Sequence, residues 1–92
     1  MIKTFKNKDL KELFETGTTS KINQTFHKRV LARLDALDNA ATLNDLSLPS
    51  FKTHPLNGFD PTRYAISVNG PWRITFEFAD GEVFEVDFEQ YH

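Results

Sequence analysis

Apolar Ile2 and Phe5 flank polar Lys3 and Thr4, and residues 2–5 read as a short opening strand. The period then turns helical. Asn7 is a suitable cap for a helix over residues 9–15, with Leu10, Leu13 and Phe14 on one face and Gly17 at its stop. A second, longer helix is expected to start near Thr19 or Ser20. Ile22, Phe26, Val30, Leu34 and Leu37 form its apolar stripe, and His27, Lys28, Arg29 and Arg33 its other face. Asp38 and Asn39 end it, and residues 43–46 add one turn.

Beyond Pro49 the period shortens to two. Residues 51–56 read as extended or loop, because Pro55 disfavours helix at His54. Tyr64, Ile66 and Val68 mark one strand, and Asn69-Gly70-Pro71 a turn. Trp72, Ile74, Phe76 and Phe78 mark a second strand, and Asp80-Gly81 a hairpin. Phe84, Val86 and Phe88 mark a third. Helices precede most of the strands, so the expected class is α+β: one domain over residues 1–92, with two N-terminal helices on one face of a small antiparallel sheet. The same alternation turns Arg73 and Thr75 away from the helices.

The 92 residues include nine Phe, which is ample aromatic material for a small core. There is no cysteine, which removes disulfides and thiolate chemistry and fits a cytoplasmic protein. No apolar run approaches the roughly 20 residues needed to span a bilayer, and residues 1–6 lack the run of a signal peptide. The formal charge of -2 argues mildly against a nucleic-acid binder, but its distribution is uneven. Residues 1–34 hold Lys3, Lys6, Lys8, Lys11, Lys21, Lys28, Arg29 and Arg33 against Asp9, Glu12 and Glu15. After Arg73 come six acids and no base except His92. Such polarity can steer RNA to one face, although ordinary solvated surface would give the same counts.

The candidate chemistry is thin but placed. Arg73 opens a central strand on the uncovered face, where it can hold a phosphate or pair with Glu85 or Asp87 on the next strand. His54 sits in a loop stiffened by Pro55 and Gly58. It is either a proton carrier or a plain exposed loop histidine. Tyr91 and His92 follow the last strand, which would tie the chain end down, and His92 adds the terminal carboxylate beside its imidazole. His27, His54 and His92 are too scattered for a metal-ligand spacing, so no metal site and no cofactor are expected.

Taken in order, several segments resemble the HigB-type toxins of bacterial toxin–antitoxin modules, within the RelE/ParE superfamily. They are Met1-Ile2-Lys3-Thr4-Phe5-Lys6, Leu13-Phe14-Glu15-Thr16-Gly17, Ala32-Arg33-Leu34-Asp35-Ala36, His54-Pro55-Leu56-Asn57-Gly58, Trp72-Arg73-Ile74-Thr75-Phe76 and Tyr91-His92. The resemblance spans essentially the whole chain. It implies a RelE-like α+β toxin that cuts messenger RNA on the translating ribosome without a metal. A cognate helix-turn-helix antitoxin would neutralise it in a complex of higher oligomeric order. His54, Arg73, Tyr91 and His92 match positions the family uses at its active site. Asn57 stands where a Lys is usual, and Gln90 where an Asp is usual, so an enzyme of reduced activity is one expectation.

The mechanism implied is attack of a ribose 2′-OH on the adjacent phosphate, with His54 and His92 as base and acid in either order. Arg73 would hold the charged phosphorane, and Tyr91 would stack on a base or bind a phosphate oxygen. Lys3, Lys6, Lys8, Lys11, Lys28, Arg29 and Arg33 would grip ribosomal RNA. Two other classes stay open: a non-catalytic poison of DNA gyrase, as in related superfamily members, and a silent module that binds an antitoxin.

Overall fold

The computed structural model describes residues 1–90. Helix α1 runs Lys8–Thr16. The Asn7 side-chain oxygen accepts from the backbone N–H groups of Asp9 at 2.9 Å and Leu10 at 3.1 Å, satisfying two otherwise orphan donors. At the other end Gly17 takes φ +84°, and its N–H reaches the Leu13 carbonyl at 2.8 Å.

The second helix, α2, covers His27–Asn39, later than the apolar stripe suggested. Asn23 is the reason. Its side chain accepts from the backbone N–H of Thr25 at 3.0 Å and from the Thr25 hydroxyl at 2.9 Å, which starts a single 3-10 turn over Gln24–Phe26. Ile22 therefore enters the core from a loop, and its carbonyl lies 2.9 Å from His27 Nε2. Arg33 departs from the expected polar face: it is only 8% exposed. The turn expected over residues 43–46 is a 3-10 turn, Leu43–Leu46, closed by a capping box between Thr42 and Asp45.

Four strands follow: β1 His54–Leu56, β2 Arg63–Asn69, β3 Trp72–Ala79 and β4 Glu82–Gln90. They form one antiparallel sheet in the order β1-β2-β3-β4. Leu10, Leu13, Val30, Leu34 and Leu37 from the helices pack on Ile66, Ile74, Phe76, Val83 and Val86 from the sheet. This is the expected α+β arrangement. Each such side chain contributes about 1.5–3 kcal/mol on full burial.

The register of β4 holds the main surprise. Thr75 pairs with Asp87 and Glu77 with Phe84, so β4 carries one residue more than β3 between those pairs. Glu85 absorbs the extra residue at φ +51°, a β-bulge. The bulge reverses the alternation expected for Phe84, Val86 and Phe88. Val83, Val86 and Phe88 face the core, whereas Phe84 stands opposite Glu77 on the other face. It also breaks the opening segment into two parallel bridges, Ile2 to Val83 and Phe5 to Val86, instead of a continuous strand. Between them the Thr4 hydroxyl accepts from the Glu85 N–H at 2.8 Å and donates to its carboxylate at 3.0 Å. Among the described residues, no helix is long and apolar enough to cross a membrane.

Candidate active site

Residues paired across an antiparallel sheet share a face. The face away from the helices therefore carries three rows: His54, Ala65, Thr75 and Asp87; Ser67, Arg73 and Glu89; and Leu56, Arg63, Glu77 and Phe84. His54 and Arg73, far apart in sequence, end up two strand spacings apart, about 10 Å across the sheet. Both line a cleft of about 480 Å³ that is also walled by Lys52, Ser67, Trp72 and the Gly70-Pro71 turn.

His54 is exposed, and its ring has a defined orientation. Nδ1 lies 2.8 Å from the carbonyl oxygen of Lys52. A carbonyl can only accept, so Nδ1 carries a hydrogen and Nε2 is the nitrogen left to exchange a proton. Arg73 is half-buried. Glu89 stands opposite Arg73 in the register. Glu85 and Asp87, the partners suggested by sequence, sit at the bulge and opposite Thr75.

Thr75 was expected on an open surface and is instead fully buried. A polar network covers it, and Arg63, absent from the candidates above, organises that network. Arg63 is 7% exposed. It donates to Glu77 Oε2 at 3.3 Å, to Thr75 Oγ1 at 3.0 Å and to the Glu85 carbonyl at 2.9 Å. Thr75 in turn donates to Glu89 Oε2. The alternation that placed Arg73 could have revealed Arg63 as well, since it shares a strand face with Ala65 and Ser67.

The basic residues divide into two groups. Lys3, Lys6, Lys8, Lys11 and Lys28 are exposed. Arg29 is exposed too, with Nη1 reaching the Val68 carbonyl at 3.3 Å. Arg33 is committed to the fold. Its Nε donates to the Ser67 carbonyl at 2.6 Å, Nη1 donates to the Arg29 carbonyl at 3.3 Å, and the guanidinium lies 4.9 Å from the Phe51 ring centroid. Burial, and then the nearby Arg29 charge, lower its pKa from the usual guanidinium range.

Asn57 is exposed in the turn after β1, beside Gly58. Gln90 ends β4, exposed and opposite Trp72. Tyr91 and His92 lie outside the described residues. Among the described residues, no three His, Asp or Glu side chains gather in a way that could hold a metal ion.

A four-stranded antiparallel sheet backed by two N-terminal helices, with His54 and Arg73 on its free face, is the frame of a RelE-like toxin. Residues 3–92 match the HigB-like toxins, described as the RelE-like toxin of the type II toxin–antitoxin system HigB, and the chain belongs to that family. It is 41% identical over 92 residues, the full length of both chains, to the Endoribonuclease HigB of Proteus vulgaris. As a type II toxin its partner is a cognate antitoxin.

Proposed function

We propose that the chain is an endoribonuclease that cuts messenger RNA on the translating ribosome, in the cytoplasm, by acid–base chemistry carried on its own side chains. The observation that supports this most directly is the convergence of His54 and Arg73 on one cleft, with His54 oriented by the Lys52 carbonyl. The full-length likeness to a protein named as an endoribonuclease points the same way.

The chemistry follows from those groups. The ribose 2′-oxygen attacks the adjacent phosphorus and loses its proton to a base. The bond from phosphorus to the 5′-oxygen breaks, and that oxygen takes a proton from an acid. The products are a 2′,3′-cyclic phosphate end and a 5′-hydroxyl end. His54 exchanges its proton through Nε2. His92 is the second proton carrier, Arg73 holds the charge that builds on the phosphorane, and Tyr91 stacks on a base or binds a phosphate oxygen. Asn57 and Gln90 can hydrogen-bond but supply neither cation nor acid, which slows the enzyme. Lys3, Lys6, Lys8, Lys11, Lys28 and Arg29 supply the grip on ribosomal RNA, and Arg33 leaves that set because its donors serve the fold. The antitoxin is a helix-turn-helix protein, and the neutralised complex is a higher oligomer.

Messenger cleavage in a translating extract tests this for wild type, His54→Ala, Arg73→Ala and His92→Ala. Loss of one proton carrier should slow cleavage by roughly a hundred- to ten-thousandfold. Equal cleavage by all four would sink the mechanism. Naked RNA cut as fast as ribosome-bound RNA would sink the ribosome dependence. Growth arrest with intact messages and blocked supercoiling would move the reading to a gyrase poison.

A further inference from the structure

Lys52 lines the same cleft, two residues before His54. Its backbone is unusual. At φ +48° it occupies the left-handed region, where a glycine would sit more easily. The bend is held on both sides. The N–H of Phe51 donates to the Leu48 carbonyl at 2.9 Å, and the Phe51 carbonyl accepts from the Ser67 N–H at 2.8 Å. The Thr53 hydroxyl donates to the Leu46 carbonyl at 2.7 Å. So constrained, Lys52 turns its carbonyl to His54 Nδ1 and lines the cleft together with His54 and Arg73. Its ammonium forms no ion pair among the described residues.

A lysine kept in a conformation suited to glycine, at a cleft and without an ion pair among the described residues, implies a use for its charge. Position 57 is Asn and brings no cation to the loop after β1. We propose that Lys52 is a phosphate-binding residue of this cleft, its ammonium facing Arg73 across the phosphate that His54 serves. The proposal rests on the nuclease reading for the identity of the phosphate, an RNA linkage. Lysine suits the task as a compact, mobile point charge that can follow a phosphate as it changes shape, while arginine fixes it by a planar fork.

The experiment uses the full chain in two arms. In the first, wild type, Lys52→Gln, Lys52→Arg and Lys52→Gly are compared for messenger cleavage in a translating extract. In the second, the same four proteins bind a 2′-O-methylated oligoribonucleotide, which cannot be cut, over a range of salt concentrations. Lys52→Gln should cleave at least tenfold more slowly, and its salt slope should fall by about 0.7, the loss of one phosphate contact to a single strand. Lys52→Arg should keep the slope. Lys52→Gly should lose it although its backbone fits the bend better, which separates charge from strain. An unchanged slope for Lys52→Gln overturns the proposal, even if cleavage falls, since Lys52 would then be structural. Wild type that shows no salt-dependent binding overturns it as well. A slope that falls as expected, in a wild type that cuts no messenger, supports the phosphate site and overturns the nuclease reading alone.

Discussion

The Arg63 guanidinium crosses from β2 to reach Thr75 on β3, Nη2 standing 3.0 Å from Oγ1. Thr75 both accepts from Arg63 and donates to Glu89, so a fully buried hydroxyl joins a cation to a carboxylate. Replacing Thr75 with Val keeps the shape and takes a donor from Glu89 and one of three acceptors from Arg63, which keeps Glu77 and the Glu85 carbonyl. The expected cost is about 1–3 kcal/mol, the usual penalty for a buried polar group left unsatisfied. It should appear as a lower urea midpoint with an unchanged slope. Thr75→Ser should recover most of the loss. A Val variant as stable as wild type would show that the network contributes nothing.

Arg33 and the exposed lysines should respond in opposite ways. Arg33 donates to two backbone carbonyls and stacks on Phe51, so Arg33→Met should lower stability by about 1.5–3 kcal/mol. Lys3, Lys6 and Lys11 are exposed, and changing each to Ala should move stability by no more than about 0.5 kcal/mol. The lysine variants should instead bind ribosomes with a flatter salt dependence. A stable Arg33→Met variant that loses only ribosome affinity would return Arg33 to the RNA-gripping set.

The split between what the sequence shows and what it hides has a physical cause. Local rules placed α1, because the Asn7 side chain and the Gly17 backbone act on residues a few positions away. The period of two placed β2 and β3 and turned Arg73 to the free face, whereas His54, read as loop, was joined to it only through the family resemblance. Two features escaped. The α2 start depends on whether Asn23 or Thr19 captures a nearby N–H, and both residues are good caps. The bulge at Glu85 depends on Thr4, which is 81 residues away, and no local pattern reports so distant a partner. Arg33 failed for a related reason: helical spacing shows which side a residue lies on, not whether a β2 carbonyl waits there.

Asp45 should make stability sensitive to acid. The backbone N–H groups of Thr42 and Ala41 donate to its carboxylate at 2.9 and 2.8 Å and hold its pKa below the usual carboxylate value. A depressed pKa means that the folded state holds this proton less tightly than the unfolded chain. The contribution is therefore complete above about pH 4, the unfolded value, and is lost as pH falls through the folded one. Thermal midpoints of wild type and Asp45→Asn, measured from pH 7 to pH 2, should differ most at neutral pH and converge in acid. A constant difference across that range would show that the two N–H bonds do not depend on the charge.

Gln90 gives the sharpest test of the catalytic reading. It ends β4 opposite Trp72, immediately before Tyr91 and His92, and its amide cannot titrate. Gln90→Asp places a carboxylate next to the pair proposed to carry the second proton. An anion nearby favours the imidazolium, so the histidine should hold its proton to higher pH. If His92 is the acid, more of it is protonated at neutral pH. Cleavage should then speed up, and the falling limb of the pH–rate profile should move to higher pH. If His92 is the base, the same substitution should slow cleavage at neutral pH and move the rising limb upward. The direction of the change thus assigns the two histidines. A profile that stays put, in a variant as stable as wild type, would remove His92 from the chemistry and leave His54 and Arg73 to account for it.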